Sequence, residues 1–153
     1  MIVVENCNEK IYNIVVDASC FFATQLLPIK SLNRSQIKII FEDEFINEDG
    51  FVGQCLKKNR FDYEITIEPT MNLQSILLTI AHEIVHVNQY MRGFLRETYE
   101  TYSIWRGQKY SSNQYYMFPW EIEANGVSIA LYEHFVDTFN YRNEDWYFDS
   151  SFI

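Results

Sequence analysis

Apolar residues recur along this chain with two different periods, and the period changes from one segment to the next. Between residues 8 and 27 they occur at three- and four-residue steps, which predicts a helix that ends at Pro28. Residues 36–42 form a short β-branched run, which predicts a strand. Residues 52–58 and 61–68 are expected to form a hairpin, since apolar and polar residues alternate along the second segment.

The second half of the chain contains two longer helical patterns. Residues 73–91 carry one continuous apolar stripe that Gly93 ends, and Pro119 suits the first position of another helix that extends to about residue 137. Between them lies a tyrosine-rich segment, where residues 105–107 predict a turn between two short strands or an ordered loop. Residues 47–50 predict a further turn. The acidic, aromatic tail from residue 141 to 153 is not assigned.

This order of elements predicts an α+β fold with an N-terminal helix and a small, three- to four-stranded, mainly antiparallel sheet. No internal repeat or low-complexity linker divides the sequence, so we expect one domain over residues 1–153.

The charge and cysteine content narrow the classes of function. A formal charge of −9 with scattered Lys and Arg disfavours binding to nucleic acid or to an anionic membrane, and a polypeptide partner is electrostatically easier.

The cysteines of the chain are Cys7, Cys20 and Cys55. An odd number of cysteines without a C-x-x-C spacing is typical of reduced thiols. We find no signal peptide and no apolar run near the ~20 residues that span a bilayer, so a soluble, cytoplasmic protein is expected.

The sequence His82-Glu83-Ile84-Val85-His86 lies within the predicted helix 73–91 and matches H-E-x-x-H. Residues four apart share a helix face, so both imidazoles can bind one metal ion. Glu83 is rotated away from the pair and can contact a water molecule on the metal without being a ligand itself. The alternative is a chance match, in which two histidines are satisfied core residues.

A zinc site of this type needs a third protein ligand, for which His134, Glu121 and Glu123 are the candidates. Helical periodicity places Glu121 in a narrow polar wedge between two apolar stripes of the last helix, whereas Glu123 falls on the outer side as a solvated charge. A carboxylate held inside needs a partner, so Glu121 is the predicted ligand. The wedge consists of Glu121, Asn125, Ser128 and Tyr132, and the second stripe of Ile122, Ile129 and Val136.

Asn125 follows Glu121 by one helical turn on the same wedge. It could accept the free N–H of a ligating histidine, a contact in the second shell of the metal that fixes the tautomer and direction of the ring. The alternative is an Asn that bonds only to backbone.

The H-E-x-x-H sequence followed by a helix of the form E-x-x-x-N resembles the gluzincin metallopeptidases, whose third zinc ligand is the first glutamate. More narrowly, residues 75–130 are similar to small metallopeptidases found in phages and bacteria. The residues that carry this similarity are Ala81 to Tyr90 with Gly93, Trp105 with Gly107, and Pro119, Trp120, Glu121, Glu123 and Ala124. Asn125 departs from the aspartate usual in larger members, and no second subdomain walls a cleft.

The resemblance implies a zincin-like fold and a Zn2+-dependent peptidase, with His82, His86 and Glu121 as ligands and Glu83 as general base. One further donor would stabilise the oxyanion, and His134, Tyr110, Tyr115 and Tyr116 are the candidates. For His134, a position beside Glu133 at a helix surface is the favoured alternative. The edge of the strand 61–68 could pair with an extended polypeptide substrate, and the alternative is an ordinary core strand.

Two other classes of function remain open. One is a zinc-containing binding or regulatory module, such as a phage-type host-interaction protein, with little or no turnover. The other is a structural domain in which the motif is fortuitous. A zinc hydrolase that acts on a non-peptide amide is a variant of the peptidase hypothesis.

Overall fold

The structure is a computed structural model that describes residues 1–43, 51–98, 102–111 and 117–144. Within these residues no helix is both long enough and apolar enough to cross a membrane. The turn predicted at 47–50 and most of the C-terminal tail lie outside the described residues. The strands are β1 (Ile2–Glu5), β2 (Gln36–Phe41), β3 (Gly53–Lys57), β4 (Asp62–Ile67), β5 (Leu95–Glu97), β6 (Ser103–Trp105) and β7 (Gln108–Tyr110), and the helices are α1 (Tyr12–Leu26), α2 (Ile29–Leu32), α3 (Leu73–Met91), α4 (Pro119–Thr138) and a 3-10 turn (Tyr141–Asn143).

The chain is α+β, as predicted, but the pairing in its larger sheet differs from the prediction. The strand order is β1-β2-β4-β3, in which β1–β2 and β2–β4 are parallel and only β3–β4 is antiparallel. The predicted hairpin of β3 and β4 is confirmed, and the prediction of a mainly antiparallel sheet is wrong. One parallel pair arises from β1, a four-residue strand that the sequence analysis missed, because the chain crosses over through α1 between β1 and β2. The other arises because β3 lies outside β4, so that β4 pairs with β2 in parallel.

The two edge strands of this sheet are β1 and β3, and β4 is an inner strand. β4 lies between β2 and β3, and four of its residues are buried: Tyr63, Ile65, Thr66 and Ile67. β3 pairs only with β4 in the described sheet, so its other side is left for another partner. Of the two alternatives for segment 61–68, the core strand is therefore confirmed, and the free edge is not.

Helix α3 crosses the middle of the molecule and is covered on several sides. Its bounds coincide with the predicted segment, and the side chain of Asn72 caps its first turn by accepting a hydrogen bond from the backbone N–H of Ser75 at 2.8 Å. It packs against α1, the strands β3 and β4, and α4. Residues on more than one face of α3 are therefore buried, including both Ile80 and Val85.

A second sheet connects α3 to α4. Its strands follow the order β5-β6-β7 and are antiparallel. Arg106 and Gly107 form the turn between β6 and β7 with φ values of 46° and 85°, in the left-handed region that glycine tolerates best. The turn predicted at 105–107 is thus confirmed, whereas β5 was not predicted. Pro119 begins α4, also as predicted.

Candidate metal centre

Helix α3 brings the two histidines of the motif into contact. The Nε2 atoms of His82 and His86 lie 3.1 Å apart, and the two rings are nearly perpendicular, at 79°. The side chain of His86 is 9 % exposed and that of His82 is 19 % exposed. The i, i+4 spacing therefore places both ring nitrogens at one point on the helix surface.

Glu121 reaches the same point from the first turn of α4. Its Oε2 atom lies 3.3 Å from His82 Nε2, and its Oε1 atom lies 3.4 Å from His86 Nε2. Within the described residues, His82, His86 and Glu121 form a group whose potential ligand atoms all lie within 4.8 Å of one another, a spacing that could hold a metal ion. The structure thus brings together the three residues that sequence analysis selected.

The burial of Glu121 has a different cause from the one predicted. Its side chain is 4 % exposed, but two of the three residues in the second apolar stripe are not buried: Ile122 is 55 % exposed and Ile129 is 58 % exposed, whereas Val136 is buried. Contact with α3 buries the carboxylate instead. The structure corrects the two-stripe description of α4 and leaves Glu121 on the inner side.

The charges around the two histidines favour a positive charge between them. Burial lowers the pKa of His86, but its hydrogen bond to Glu121, the carboxylates of Glu83 and Glu121, and the Gln89 oxygen together raise this pKa to about 9. A cation at this point would be stabilised by the same carboxylates.

Glu83 is buried beside the histidines without being one of the three clustered ligands. Burial raises the pKa of its carboxyl group, and Glu121 adds to this, while His86 and His82 lower it. Gly53 of β3 lies against it: a Cβ atom at this position would come within 2.4 Å of Thr79 Cγ2 and 2.9 Å of Glu83 Oε1. A glycine is therefore required where the edge strand passes Glu83.

The free ring nitrogen of His86 is held by Gln89 and not by Asn125. His86 Nδ1 donates to Gln89 Oε1 at 2.8 Å, and Gln89 is fully buried between α3 and α4. Asn125 is exposed on α4 and lines a cavity beside His82. For His86, the hydrogen bond predicted from Asn125 is therefore made by Gln89. Gln89 lies three positions after His86 on the same helix, so its side chain reaches the ring, whereas Asn125 lies on the neighbouring helix.

Glu123 is not the freely solvated charge that was expected. Its Oε2 atom accepts a hydrogen bond from Gln89 Nε2 at 2.9 Å, and its Oε1 atom accepts one from Arg106 at 2.8 Å. Its side chain is 30 % exposed. Glu123 stays outside the cluster of His82, His86 and Glu121, as predicted, but connects that cluster to the turn between β6 and β7.

The candidate oxyanion donors fall in different places. His134 is 13 residues after Glu121 on α4, which corresponds to ~20 Å along the helix, and its ring packs on Phe21 at 5.1 Å. It is too distant to act at the cluster, and the alternative, an exposed position on the helix surface beside Glu133, is confirmed. The Tyr110 hydroxyl donates to Gln108 at 3.1 Å while its ring packs on Trp120. Tyr115 and Tyr116 lie outside the described residues.

Two cavities flank Glu83 and Glu121, and β3 forms a wall of both. The cavity on the β5 side has a volume of about 300 Å3 and is bordered by His86, Tyr90, Glu97 and Trp120 among others. The cavity on the other side measures about 560 Å3 and is more apolar, with Val52, Leu78 and Ile129 in its lining. The clustered residues therefore lie in an open cleft along the outer strand.

Sequence analysis missed Gln89 and Gly53. Gln89 lies one turn after His86 on the same face of α3, so its spacing offered a signal. Gly53 offered none, because nothing local indicates that β3 passes within contact of Glu83. Tyr90 was also missed; it borders the smaller cavity and donates to Glu97 at 2.8 Å.

Compared with models of protein families, with curated proteins and with solved structures, the chain matches none.

Proposed function

We propose that this chain is a zinc-dependent peptidase in which His82, His86 and Glu121 bind the metal. The observation that supports this most directly is the spacing of the three side chains. Atoms bound at the usual zinc distances, in tetrahedral directions, lie roughly 3.3–3.4 Å from each other. The two ring nitrogens lie 3.1 Å apart, and each lies close to a different oxygen of Glu121, His82 at 3.3 Å from Oε2 and His86 at 3.4 Å from Oε1. These separations are near that spacing and place the carboxylate within reach of an ion held by both rings.

The kind of ligand atom favours zinc over other common ions. Ca2+ and Mg2+ prefer sets of oxygen ligands, whereas two imidazoles with one carboxylate suit zinc. Three protein ligands in an open cleft leave a fourth position accessible, which is the arrangement of catalytic zinc sites. Zinc bound here would lower the pKa of a water molecule and polarise the substrate carbonyl.

Glu83 is the proposed general base. It lies between the two cavities, against the ligands, and its raised pKa makes the carboxylate a stronger base than an exposed glutamate. In the proposed reaction Glu83 accepts a proton from the attacking water and then donates it to the amine of the leaving group. A side chain at position 53 would collide with this carboxylate, so the glycine leaves room for it.

The outer strand β3 supplies a surface for an extended chain. One side of β3 pairs with no strand among the described residues, and β3 residues line both cavities, so a peptide that pairs there would pass Glu83 and the proposed metal ligands. Main-chain hydrogen bonds from a strand edge fit many sequences, and the neighbouring cavities would then accept side chains. This geometry supports a polypeptide substrate.

The first test is the zinc content of purified protein, measured by elemental analysis for the native chain, Glu121→Ala and Glu133→Ala. Glu133 lies on the same helix, pairs with Arg142 at the surface and serves as the matched control. We expect about one zinc per chain in the native protein and in Glu133→Ala, and little in Glu121→Ala. A native protein that binds no zinc, even when zinc is supplied at neutral pH, would contradict the proposal.

The second test is hydrolysis of a peptide library by the native protein and by Glu83→Gln. Removing a general base typically costs 10²–10⁴-fold in rate, so we expect kcat to fall by about that factor. Zinc content should not change, since Glu83 is not one of the proposed ligands. If Glu83→Gln keeps zinc and the native protein hydrolyses no peptide, a binding module becomes the better hypothesis.

A further inference from the structure

The amide of Gln89 makes three hydrogen bonds in a fully buried position. Its Oε1 atom contacts His86 Nδ1 at 2.8 Å. Its Nε2 atom donates to the Trp120 carbonyl at 3.0 Å and to Glu123 Oε2 at 2.9 Å. The three hydrogen-bond partners therefore belong to α3 and to the first five residues of α4.

These contacts determine which way the amide faces. A backbone carbonyl and a carboxylate only accept hydrogen bonds, so the NH2 group must face both of them. The Oε1 atom is then turned to His86, where it can only accept. Hence Nδ1 of His86 carries the hydrogen, and in the neutral ring the lone pair is on Nε2, the atom that faces His82 and Glu121.

Glu123, which accepts one of these hydrogen bonds, is in turn held by Arg106 of the second sheet. Arg106 donates to Glu123 at 2.8 Å, and its guanidinium group lies 4.7 Å from the ring centre of Phe94 and 4.9 Å from that of Trp105. Its backbone N–H also donates to the Phe94 carbonyl at 2.7 Å. Arg106 is therefore held on both its main chain and its side chain.

We infer that Gln89 is a positioning residue that sets the tautomer and direction of His86, and that Glu123 and Arg106 hold its amide in the orientation this requires. The inference rests on the metal site of the proposed function but not on peptidase activity. We call the hydrogen-bonded series Arg106, Glu123, Gln89 and His86 the Gln89 network. It connects a metal ligand to the sheet whose strands β5 and β6 also border the smaller cavity.

The decisive variant is Gln89→Met, which keeps the approximate volume of the side chain and removes the acceptor for His86. Gln74→Met is the matched control, because Gln74 is exposed on the same helix. Loss of a partner that orients a ligating histidine typically weakens metal binding 10–100-fold, and we expect that loss in zinc affinity for Gln89→Met alone. Affinity is measured by competition with a chelator.

A merely structural role for Gln89 is tested by the geometry of the bound metal. The absorption spectrum of the Co2+-loaded protein and the imidazole 15N shifts of His86 report how the ring is held, independently of overall stability. We expect both to change in Gln89→Met and to stay native in Gln74→Met. A folded Gln89→Met protein with native zinc affinity and a native cobalt spectrum would overturn the inference.

Two milder variants test the Gln89 network even if Gln89→Met does not fold. Glu123→Gln keeps an acceptor for the Gln89 amide but removes the charge that holds Arg106, and Arg106→Met removes only the outer donor. We expect zinc affinity to fall less in Glu123→Gln than in Gln89→Met, and least in Arg106→Met. Native affinity in both milder variants would contradict the network.

The metal-free protein separates failure of this inference from failure of the proposed function. At a pH where the ring is neutral, the 15N shifts of His86 should show the hydrogen on Nδ1, whether or not the protein binds zinc or cleaves peptides. A hydrogen on Nε2 would overturn the role of Gln89 and leave the proposal of a peptidase standing.

Discussion

The two ends of α4 are buried against different kinds of neighbour. At its first turn, Glu121 meets the polar side chains of His82 and His86, and the Trp120 carbonyl accepts a hydrogen bond from buried Gln89. At its last turns, Phe135 packs on Phe22 of α1 with ring centres 5.6 Å apart and is fully buried. One helix therefore contributes to a polar site at one end and to an aromatic core at the other.

The contrast shows that residue type alone does not mark a functional site. Each end of α4 carries a glutamate, and a histidine lies beside each of them. At the first turn these groups converge from two helices, whereas His134 packs singly on a phenylalanine ring and Glu133 pairs with Arg142 at the surface. Buried polar groups cost free energy unless they are paired, so their convergence at one end indicates a function there.

The largest effect is expected from a change at the aromatic end. Phe135→Ala removes a fully buried ring that contacts Phe21 and Phe22, and such truncations cost ~3–5 kcal/mol of unfolding free energy. Chemical denaturation measures this loss. Zinc affinity of the protein that remains folded should not change, and if it falls together with stability, the two ends of α4 are not separable.

A smaller effect is expected from added volume at the polar end. In Gly53→Ala the new methyl group would collide with Thr79 and Glu83, so the proposed base must shift. Displacing a reacting group by about 1 Å can cost ~100-fold in rate, and we expect a loss of kcat approaching that size with zinc retained.

The matched control is Gly126→Ala on α4, where a Cβ atom would meet nothing within 4 Å. This change should stabilise the helix by ~0.5–1 kcal/mol without altering kcat. Native kcat in Gly53→Ala would show that Glu83 needs no fixed position.

The smallest effect is expected from His134→Ala. His134 is exposed and contacts the edge of the aromatic core, so the unfolding free energy should change by no more than ~0.5 kcal/mol. Zinc content and kcat should stay native, as measured beside the variants above. A tenfold fall in kcat would bring His134 back as a participant in catalysis.

The sequence by itself determined the elements and the members of the candidate site that depend on local periodicity. The bounds of α3 and the start of α4 follow from apolar spacing, from Gly93 and from Pro119. The convergence of His82 and His86 follows from their four-residue separation on one helix. The inner position of Glu121 was also predicted correctly, because the residue lies on the side of α4 that meets α3.

Only the tertiary structure decided how distant segments meet. The parallel pairing of β1 with β2, the outer position of β3 and the exposure of Ile122 and Ile129 each depend on which segments become neighbours. The same holds for Gln89, whose three hydrogen-bond partners belong to two helices. Local patterns specify the faces of an element, and packing between elements selects which face is covered and which polar atoms are paired.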